Sequence, residues 1–290
     1  MIEERIIDEM LRAAPVLLLI AVRALAMIET APLLSSDAVP QVAKIALAGF
    51  AAFAVLPSGV PQDSSLPVVR GWVLNGGGDA FDLRFVFLLI GEAFIGIIIG
   101  FFLNLIFAAF STAGQFFSLQ MGFGASETFD PLSQIENPLM GQYLNLAAML
   151  VFLSVDGFQQ LFLMGFQRSI QSISVISLVE GRETVTAMVA AGLSRLFMDA
   201  IIIAMPILGT LFLTSLSTGL ISKAAPQINI LSEGFPISIT VAFMLIFATL
   251  PFMMEAFSRV VDTAFTTIEN LYIQIGGQVG AAGIKAGGIV

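Results

Sequence analysis

The residue types that carry most enzyme chemistry are missing from this sequence. It contains no cysteine and no histidine, which excludes thiolate nucleophiles, thiolate and imidazole metal ligands, and a Ser-His-Asp relay. The acidic pairs Asp79/Asp82 and Glu180/Glu183 lie in polar connectors, where solvated charges are the default. No glycine-rich loop ends in Gly-Lys-Ser/Thr, the pattern of a nucleotide phosphate site. The sequence therefore predicts a protein that is not an enzyme and uses no metal or cofactor.

Charged side chains inside the apolar segments are the remaining candidates for a functional role. Arg23 and Glu29 lie in the first apolar segment and Lys44 near the start of the second. An ionisable group at membrane depth costs about 3 kcal/mol on insertion scales, so each needs a polar surrounding. Arg23 and Glu29 are six residues apart and do not share a helix face. We predict that each faces a partner subunit; snorkelling and a pair within the chain are the alternatives. Arg195 and Asp199, four apart, predict a same-face pair.

The composition requires apolar surroundings. Hydrophobic residues make up 57% of the chain and charged residues 11%, whereas a soluble domain carries roughly 25% charged residues. An integral membrane protein in contact with lipid is the class that fits. The net charge is −9 and the few cations are scattered singly. Nucleic acid is therefore not an expected partner, because binding it needs clustered Lys and Arg.

The apolar segments predict an all-α, membrane-associated protein of long kinked helices and helical hairpins. Prolines at 206 and 251 fall inside two of these segments and predict kinks. The acidic start of the chain lacks the pattern of a secretory signal and predicts an uncleaved amphipathic helix. Residues 57–82 predict an exposed loop and residues 171–184 a polar connector. The segments themselves are 15–34, 42–56, 85–119, 139–155, 185–221 and 237–257.

Small and polar residues recur every four positions on two of these segments. Gly96, Gly100 and Asn104 begin such a stripe, where another helix can approach closely. We interpret it as a packing surface of a crowded assembly. The second stripe runs from Thr210 to Ser222. It either bonds across a helix interface or faces a wet channel, with packing slightly favoured.

A glycine-rich, aromatic insert at 120–131 separates two apolar segments. In lipid, irregular backbone persists only where it is buried in protein or lines a watery cavity. Glycines allow such an insert to bend, and Met and Phe side chains offer deformable apolar contacts. We predict that it lines and closes a conduit; packing as a buried re-entrant loop is the alternative. The insert residues concerned are Gln120, Met121, Gly122, Phe123, Gly124, Ala125, Ser126 and Phe129.

Three stretches in this order resemble one known family. They are 23–32, the central 113–122 with Asp130-Pro131 and 138–145, and 224–236. Together they resemble the FliR family, called SctT in virulence systems, which are export-gate subunits of type III secretion. The resemblance covers about Arg23 to Glu255. It excludes the acidic start, much of the loop 57–82 and the Gly/Ala-rich tail.

This resemblance implies a single export-gate domain over 1–290. Its parts would be a FliP-like half (1–184) that contains the plug at 120–131, a FliQ-like hairpin (185–275) and a tail (276–290). The implied partners are FliP and FliQ homologues, an FlhB homologue at the cytoplasmic side, and unfolded protein substrates. The hairpin tip would lie near the cytoplasmic entrance where the FlhB homologue docks, and it would be formed by Lys223, Pro226, Gln227, Asn229, Gly234 and Pro236.

The resemblance also implies a place in the bacterial inner membrane, in the flagellar basal body. Flagellar cargo is favoured over virulence effectors by the three stretches. A secondary transporter for a small solute is the alternative function, because broken helices and buried charges also mark such proteins. No matched pair of broken helices in two halves of the sequence supports that alternative.

Overall fold

The computed structural model describes residues 2–36, 38–55, 83–122, 139–224 and 230–286. Within these ranges the regular structure is helical, which confirms the all-α prediction. The helices are α1 (Ile2–Thr30), α2 (Gln41–Val55), α3 (Leu83–Met121), α4 (Leu139–Ser154), α5 (Gly157–Gln160), a π-helical segment (Leu161–Gln167), α6 (Arg168–Ser172), α7 (Val175–Glu180), α8 (Arg182–Ala224) and α9 (Ile230–Ala286).

Three of the described helices are long and apolar enough to cross a membrane. Their spans are Phe85–Met121, Arg182–Ala224 and Pro236–Ile275, and the broken pair of α4 with α5–α6 makes a fourth if it counts as one span. At about 1.5 Å per residue, a helix of some forty residues is about 60 Å long, twice the roughly 30 Å of bilayer hydrocarbon. These helices therefore extend beyond the lipid core.

One compact unit comprises residues 1–104, 157–191 and 263–290. Its core is built where α1 meets the first half of α3, and Ala24, Met27 and Ile28 are fully buried there. Gly96 and Gly100 make this approach possible. A Cβ at Gly96 would collide with the carbonyl oxygen of Arg23, and one at Gly100 with the Thr30 hydroxyl. The four-residue spacing thus places two glycines where α1 lies directly on α3.

The other compact unit comprises residues 105–156 and 192–262. Aromatic edge-to-face contacts fill its centre, with ring centroids 5.5 Å apart for Phe107 and Phe152 and 4.5 Å apart for Phe110 and Phe257. Such pairs contribute about 0.5–1.5 kcal/mol each beyond their buried area. A Cβ at Gly114 would lie 2.6 Å from the Cα of Gly141, so α3 and α4 touch backbone to backbone.

Several helix boundaries differ from the sequence-based expectations. Helix α9 begins at Ile230 and runs to Ala286, so Pro236 and the first part of the expected loose tail are helical. Much of the expected connector 171–184 forms the short helix α7, which is stabilised by a capping box between Ser174 and Ser177. Ile173 and Val175 are each 3% exposed. Burial of such apolar side chains stabilises helical structure where the local sequence by itself does not favour it. The two compact units interleave along the chain, and the expected division at 184/185 into a FliP-like half and a FliQ-like hairpin stays a prediction.

We expect Gly96→Ala to lower the free energy of unfolding by about 1–3 kcal/mol, because its methyl group would press on α1 backbone that cannot move aside. The measurement is thermal or denaturant unfolding of the detergent-solubilised protein. Gly209→Ala is the matched control: a Cβ there meets nothing within 4 Å. That change should be neutral or stabilising by up to about 1 kcal/mol, since Ala favours a helix interior. Equal effects would contradict the close packing of α1 on α3.

Candidate functional site

Arg23 on α1 is a buried charged residue, 2% exposed, whose side chain makes three hydrogen bonds to distant parts of the chain. Its Nε donates to Glu92 Oε2 on α3 at 2.6 Å. Its Nη1 donates to Ser169 Oγ on α6 at 3.2 Å, and its Nη2 to the carbonyl oxygen of Ile173 at 3.1 Å. One guanidinium thus connects α1, α3 and the end of α6.

The helix break at Ile173 explains part of this arrangement. Ile173 has an extended backbone (φ −120°, ψ 127°) between α6 and α7, and its side chain is 3% exposed. A carbonyl released from a helix inside an apolar interior needs another donor, and Arg23 supplies it. The Ser169 hydroxyl accepts from Arg23 and donates to the carbonyl of Phe166 at 2.7 Å.

A second charged pair lies at the junction of α1 and α2. Lys44 Nζ is 3.0 Å from Glu29 Oε2 and 3.2 Å from the carbonyl oxygen of Ser35. The Lys44 side chain is 2% exposed and that of Glu29 is 35% exposed. The ammonium therefore holds the turn between the two helices. It leaves the opposite face of α2 apolar, with Phe50 and Phe53 exposed.

The π-helical segment is held by the last part of α9. The buried Tyr272 hydroxyl donates to the carbonyl oxygen of Gly165 at 2.6 Å. One turn before Tyr272 on α9, Glu269 pairs with Arg168, the first residue of α6. A π-helical segment has a weaker internal bonding pattern than an α-helix, so contacts from a neighbouring helix help to maintain it.

Of the seven residues predicted to pack against partner subunits, four contact other helices of this chain. Arg23 binds Glu92 and Glu29 binds Lys44, which is the intramolecular alternative, and Gly96 and Gly100 lie on α1. Contact of these four residues with a partner subunit stays a prediction. The sequence pattern does not reveal that Glu92 and Lys44 belong to helices that dock on α1.

The other three predicted packing residues lie on accessible surface. Asn104 is exposed on α3. Arg195 and Asp199 form the expected same-face pair, with 3.7 Å between Nε and Oδ2, and the Arg195 side chain is 57% exposed. Their contact with another subunit stays a prediction.

The described part of the predicted plug is its first three residues. Gln120 and Met121 belong to the last turn of α3, and Met121 is 0% exposed. Gly122 follows with φ 88°, and its N–H donates to the carbonyl of Leu119 at 3.2 Å. This is the left-handed conformation in which glycine ends helices. The helix thus continues two residues into the expected insert. Phe123, Gly124, Ala125, Ser126 and Phe129 lie outside the described residues.

The predicted hairpin tip is only partly described. Lys223 is exposed in the last turn of α8, which ends at Ala224. Pro226, Gln227 and Asn229 lie outside the described residues. Gly234 and Pro236 are helical residues of α9 rather than part of the turn. The reversal is thus shorter than the expected 223–236, and its role in docking stays a prediction.

The hydroxyl stripe on α8 is bonded to its own helix. Thr210 donates to the carbonyl of Pro206 at 2.9 Å, Thr214 to that of Thr210 at 2.9 Å, and Thr218 to that of Thr214 at 3.1 Å. These back-bonds satisfy the hydroxyl donors without a second helix. The hydroxyl oxygens still have acceptor capacity for water or a partner.

Sequence reasoning missed Glu92, Ser169 and Tyr272. Glu92 carried a usable signal, because it is the only charged residue in the apolar segment 85–119. Ser169 and Tyr272 carried none, since both residue types are common in membrane helices. Within the described ranges, no three carboxylates converge where they could hold a metal ion.

We expect Glu92→Gln to lower the free energy of unfolding by about 3–5 kcal/mol, because it leaves the buried Arg23 guanidinium without a counter-charge. The measurement is the unfolding midpoint in detergent. Glu255→Gln is the control, because it breaks a surface pair in which the Glu255 side chain is 68% exposed and that of Arg259 is 64% exposed. This change should lower the free energy of unfolding by about 0–1 kcal/mol. The double variant Arg23→Met/Glu92→Leu should recover much of the loss, since no unpaired charge remains. A Glu92→Gln protein as stable as the control would contradict the buried pair.

Known proteins of one family are similar to this chain over most of its length. Residues 14–264 match the family of bacterial export proteins, family 1. The flagellar biosynthetic protein FliR of Bacillus subtilis is 29% identical over 264 residues, covering 90% of this chain and 96% of that protein. FliR of Escherichia coli is 28% identical, covering 87% and 91%. The surface presentation of antigens protein SpaR of Shigella sonnei is 28% identical over 185 residues, covering 62% and 70%. The chain therefore belongs to the bacterial export proteins of family 1, the family of the FliR proteins.

Proposed function

We propose that this protein is a subunit of the export gate of the bacterial flagellar type III secretion system, where it helps to build and close the channel for unfolded proteins. Its family and its membrane-length helices make it a membrane-embedded component of a flagellar or type III export apparatus. The proposal adds the role in the channel, the partners and the inner membrane of the flagellar basal body.

The observation that carries this proposal is an apolar surface on α8 that is longer than the hydrocarbon core. Exposed large apolar side chains run from Leu193 to Ile221. They cover about 42 Å at about 1.5 Å per residue, against roughly 30 Å of hydrocarbon. At the usual tilt of about 20°, the surface still exceeds the lipid core by several ångströms. Part of it therefore needs a protein cover, as in a hetero-oligomer.

The expected cover consists of FliP and FliQ homologues, with an FlhB homologue at the turn between α8 and α9. In this proposal residues 1–184 act as a FliP-like half and 185–275 as a FliQ-like hairpin. The support is the ordered resemblance of the three sequence stretches. A further support is that α8 and α9 are long apolar helices that follow each other in the chain, with α8 ending at Ala224 and α9 beginning at Ile230.

The closing element in this proposal is the insert 120–131. The support is that Gly122 ends α3 in a left-handed conformation directly after the fully buried Met121. A glycine in this conformation ends a helix and lets the chain change direction at that point.

Cross-linking tests the subunit role, and the absence of cysteine makes single-cysteine variants unambiguous. Cysteine is placed at Phe197, Leu213 or Leu220, which are 56%, 60% and 62% exposed. We expect at least one position to cross-link to a co-expressed FliP or FliQ homologue in membranes. Leu211→Cys is the control, because that side chain is 0% exposed and should give no product. Cross-links at none of the three positions would contradict the proposal, as would solute transport by the chain alone in liposomes.

A deletion tests the plug. Removing 122–126 should raise ion leak in cells that also express the FliP and FliQ homologues, because the insert closes the conduit. A deletion of the same length at 75–79, in the predicted exposed loop, is the control and should not raise leak. Co-purification of the complex verifies assembly. An assembled complex that lacks 122–126 and leaks no more than the intact one would contradict the plug assignment, but leave the subunit role standing.

A further inference from the structure

The π-helical segment Leu161–Gln167 lies inside a helical run that is continuous from residue 157 to residue 172. Its flanking residues Gln160 and Arg168 both have right-handed helical backbone, and the Arg168 N–H donates to the carbonyl oxygen of Leu163, five residues earlier. In an α-helix the same N–H would donate four residues back. The segment is therefore an α-helix that has taken in one extra residue. Such turns are rare in proteins and occur mostly at functional sites.

A segment of this kind has two discrete registers, because each N–H bonds either four or five residues back. If the segment became α-helical with α5 fixed, each residue of α6 would take the place of the residue that now follows it. That change is a rotation of about 100°. Ser169 would move away from Arg23. Ile170, which is 4% exposed, would take the exposed place of Gln171.

Side chains of two other helices bind the segment in its observed register. The Tyr272 hydroxyl of α9 donates to the carbonyl oxygen of Gly165 at 2.6 Å, and Tyr272 is 3% exposed. Ser169 donates to the carbonyl oxygen of Phe166 at 2.7 Å and accepts from Arg23 of α1 at 3.2 Å. Both sets of bonds depend on the present positions of Gly165 and Ser169. They therefore favour the π-helical register over the α-helical one.

Arg168 explains why the α-helical register is the minor one. It now pairs with Glu269 of α9, and its side chain is 51% exposed. After the rotation it would take the buried place of Ser169, next to the Arg23 guanidinium, and like charges repel each other. The π-helical register is thus the resting state, and contacts with α9 contribute to its stability.

The two contacts come from helices that are far apart in the chain but belong to the same compact unit. Tyr272 lies in the last part of α9 and Arg23 lies in α1. Because both favour one register of the same segment, loss of one contact weakens the other. A two-state element that two sites both influence is the physical basis of coupling between them.

We propose that the π-helical segment is a two-register switch that couples the end of α9 to Arg23. While the Tyr272 hydroxyl binds Gly165, the segment stays π-helical and Ser169 stays bound to Arg23. When a displacement of α9 removes that hydroxyl, the segment becomes α-helical, α6 rotates and Arg23 loses the serine. The switch belongs to the folded chain and does not depend on the proposed role in an export channel.

Thiol labelling measures the register, because the chain contains no native cysteine. The reporter is Ile170→Cys in the full chain in membranes, and the label is N-ethylmaleimide. We expect Tyr272→Phe to raise the labelling rate about fivefold, the effect of losing one buried hydrogen bond. Tyr143→Phe is the matched control. It changes the other of the two tyrosines, which is 43% exposed, and should not alter the rate.

A second reporter separates rotation of α6 from general loosening of the unit. Met27→Cys lies at a fully buried position of α1, and Tyr272→Phe should leave the labelling of this thiol unchanged. An equal rise at both reporters would overturn the proposal, and so would an unchanged rate at Ile170→Cys.

Deletion of Met164 tests the extra residue itself. Met164 is 44% exposed, and its removal leaves a plain α-helix with both flanks in place. Tyr272→Phe should then no longer change the labelling of Ile170→Cys, because no extra residue remains to move. A fivefold rise in this background would contradict the switch. A deletion variant that does not fold would contradict it as well, since the segment would then not be an α-helix with one added residue.

Deletion of Ile97 is the control for that variant. Ile97 is 41% exposed in the regular helix α3, so its removal turns all later residues of α3 by about 100°. We expect this deletion to prevent accumulation of folded protein, measured by size-exclusion chromatography in detergent.

Ser169→Ala provides an independent arm if Tyr272→Phe does not accumulate. It removes the hydroxyl that connects Phe166 and Arg23, so it should also raise the labelling rate of Ile170→Cys. Deletion of Met164 should abolish this rise. Labelling that Ser169→Ala leaves unchanged would overturn the proposal.

Discussion

A charged guanidinium inside an apolar helical protein is stable only with a counter-charge and a full set of hydrogen-bond acceptors. In the first compact unit, the packing of several helices provides these groups for Arg23. Glu92 supplies the charge, and the Ser169 hydroxyl and the Ile173 carbonyl supply the remaining acceptors. Because these groups belong to different helices, one side chain ties α1, α3 and α6 together. The extended residue between α6 and α7 is stable in the same interior because Arg23 binds its carbonyl group.

Close helix contact at glycine is the second constraint. Gly96 and Gly100 allow α1 to approach α3, and Gly114 meets Gly141 between α3 and α4. Without a strong hydrophobic force between helices in lipid, van der Waals contact over such small residues drives association. Gly91 likewise lets α7 lie directly against α3, because a Cβ there would collide with Val175.

Much of the architecture was predictable because it follows from local patterns. Apolar segments of membrane length and glycines four residues apart are visible in the chain, whereas the helix end at Gly122, two residues into the expected insert, is seen only in the structure. The partner of Arg23 was not predictable, because Glu92 lies 69 residues away and any of several distant groups could have met it. The helix start at Ile230 was missed because prolines and a glycine suggested a long turn. Pro236 is the seventh residue of α9, inside the helix, where proline removes a backbone hydrogen bond.

The sequence by itself determined the class of this protein: its apolar composition requires membrane helices, its lack of cysteine and histidine removes most catalytic chemistry, and three ordered stretches indicate the export-protein family. Only the tertiary structure decided which charges pair, which glycines meet backbone and which residues form the π-helical segment. The physical reason is the separation along the chain of the residues that each effect involves. Hydropathy and helix periodicity act between neighbouring residues, whereas ion pairs and helix contacts depend on groups that folding brings together from distant parts of the chain.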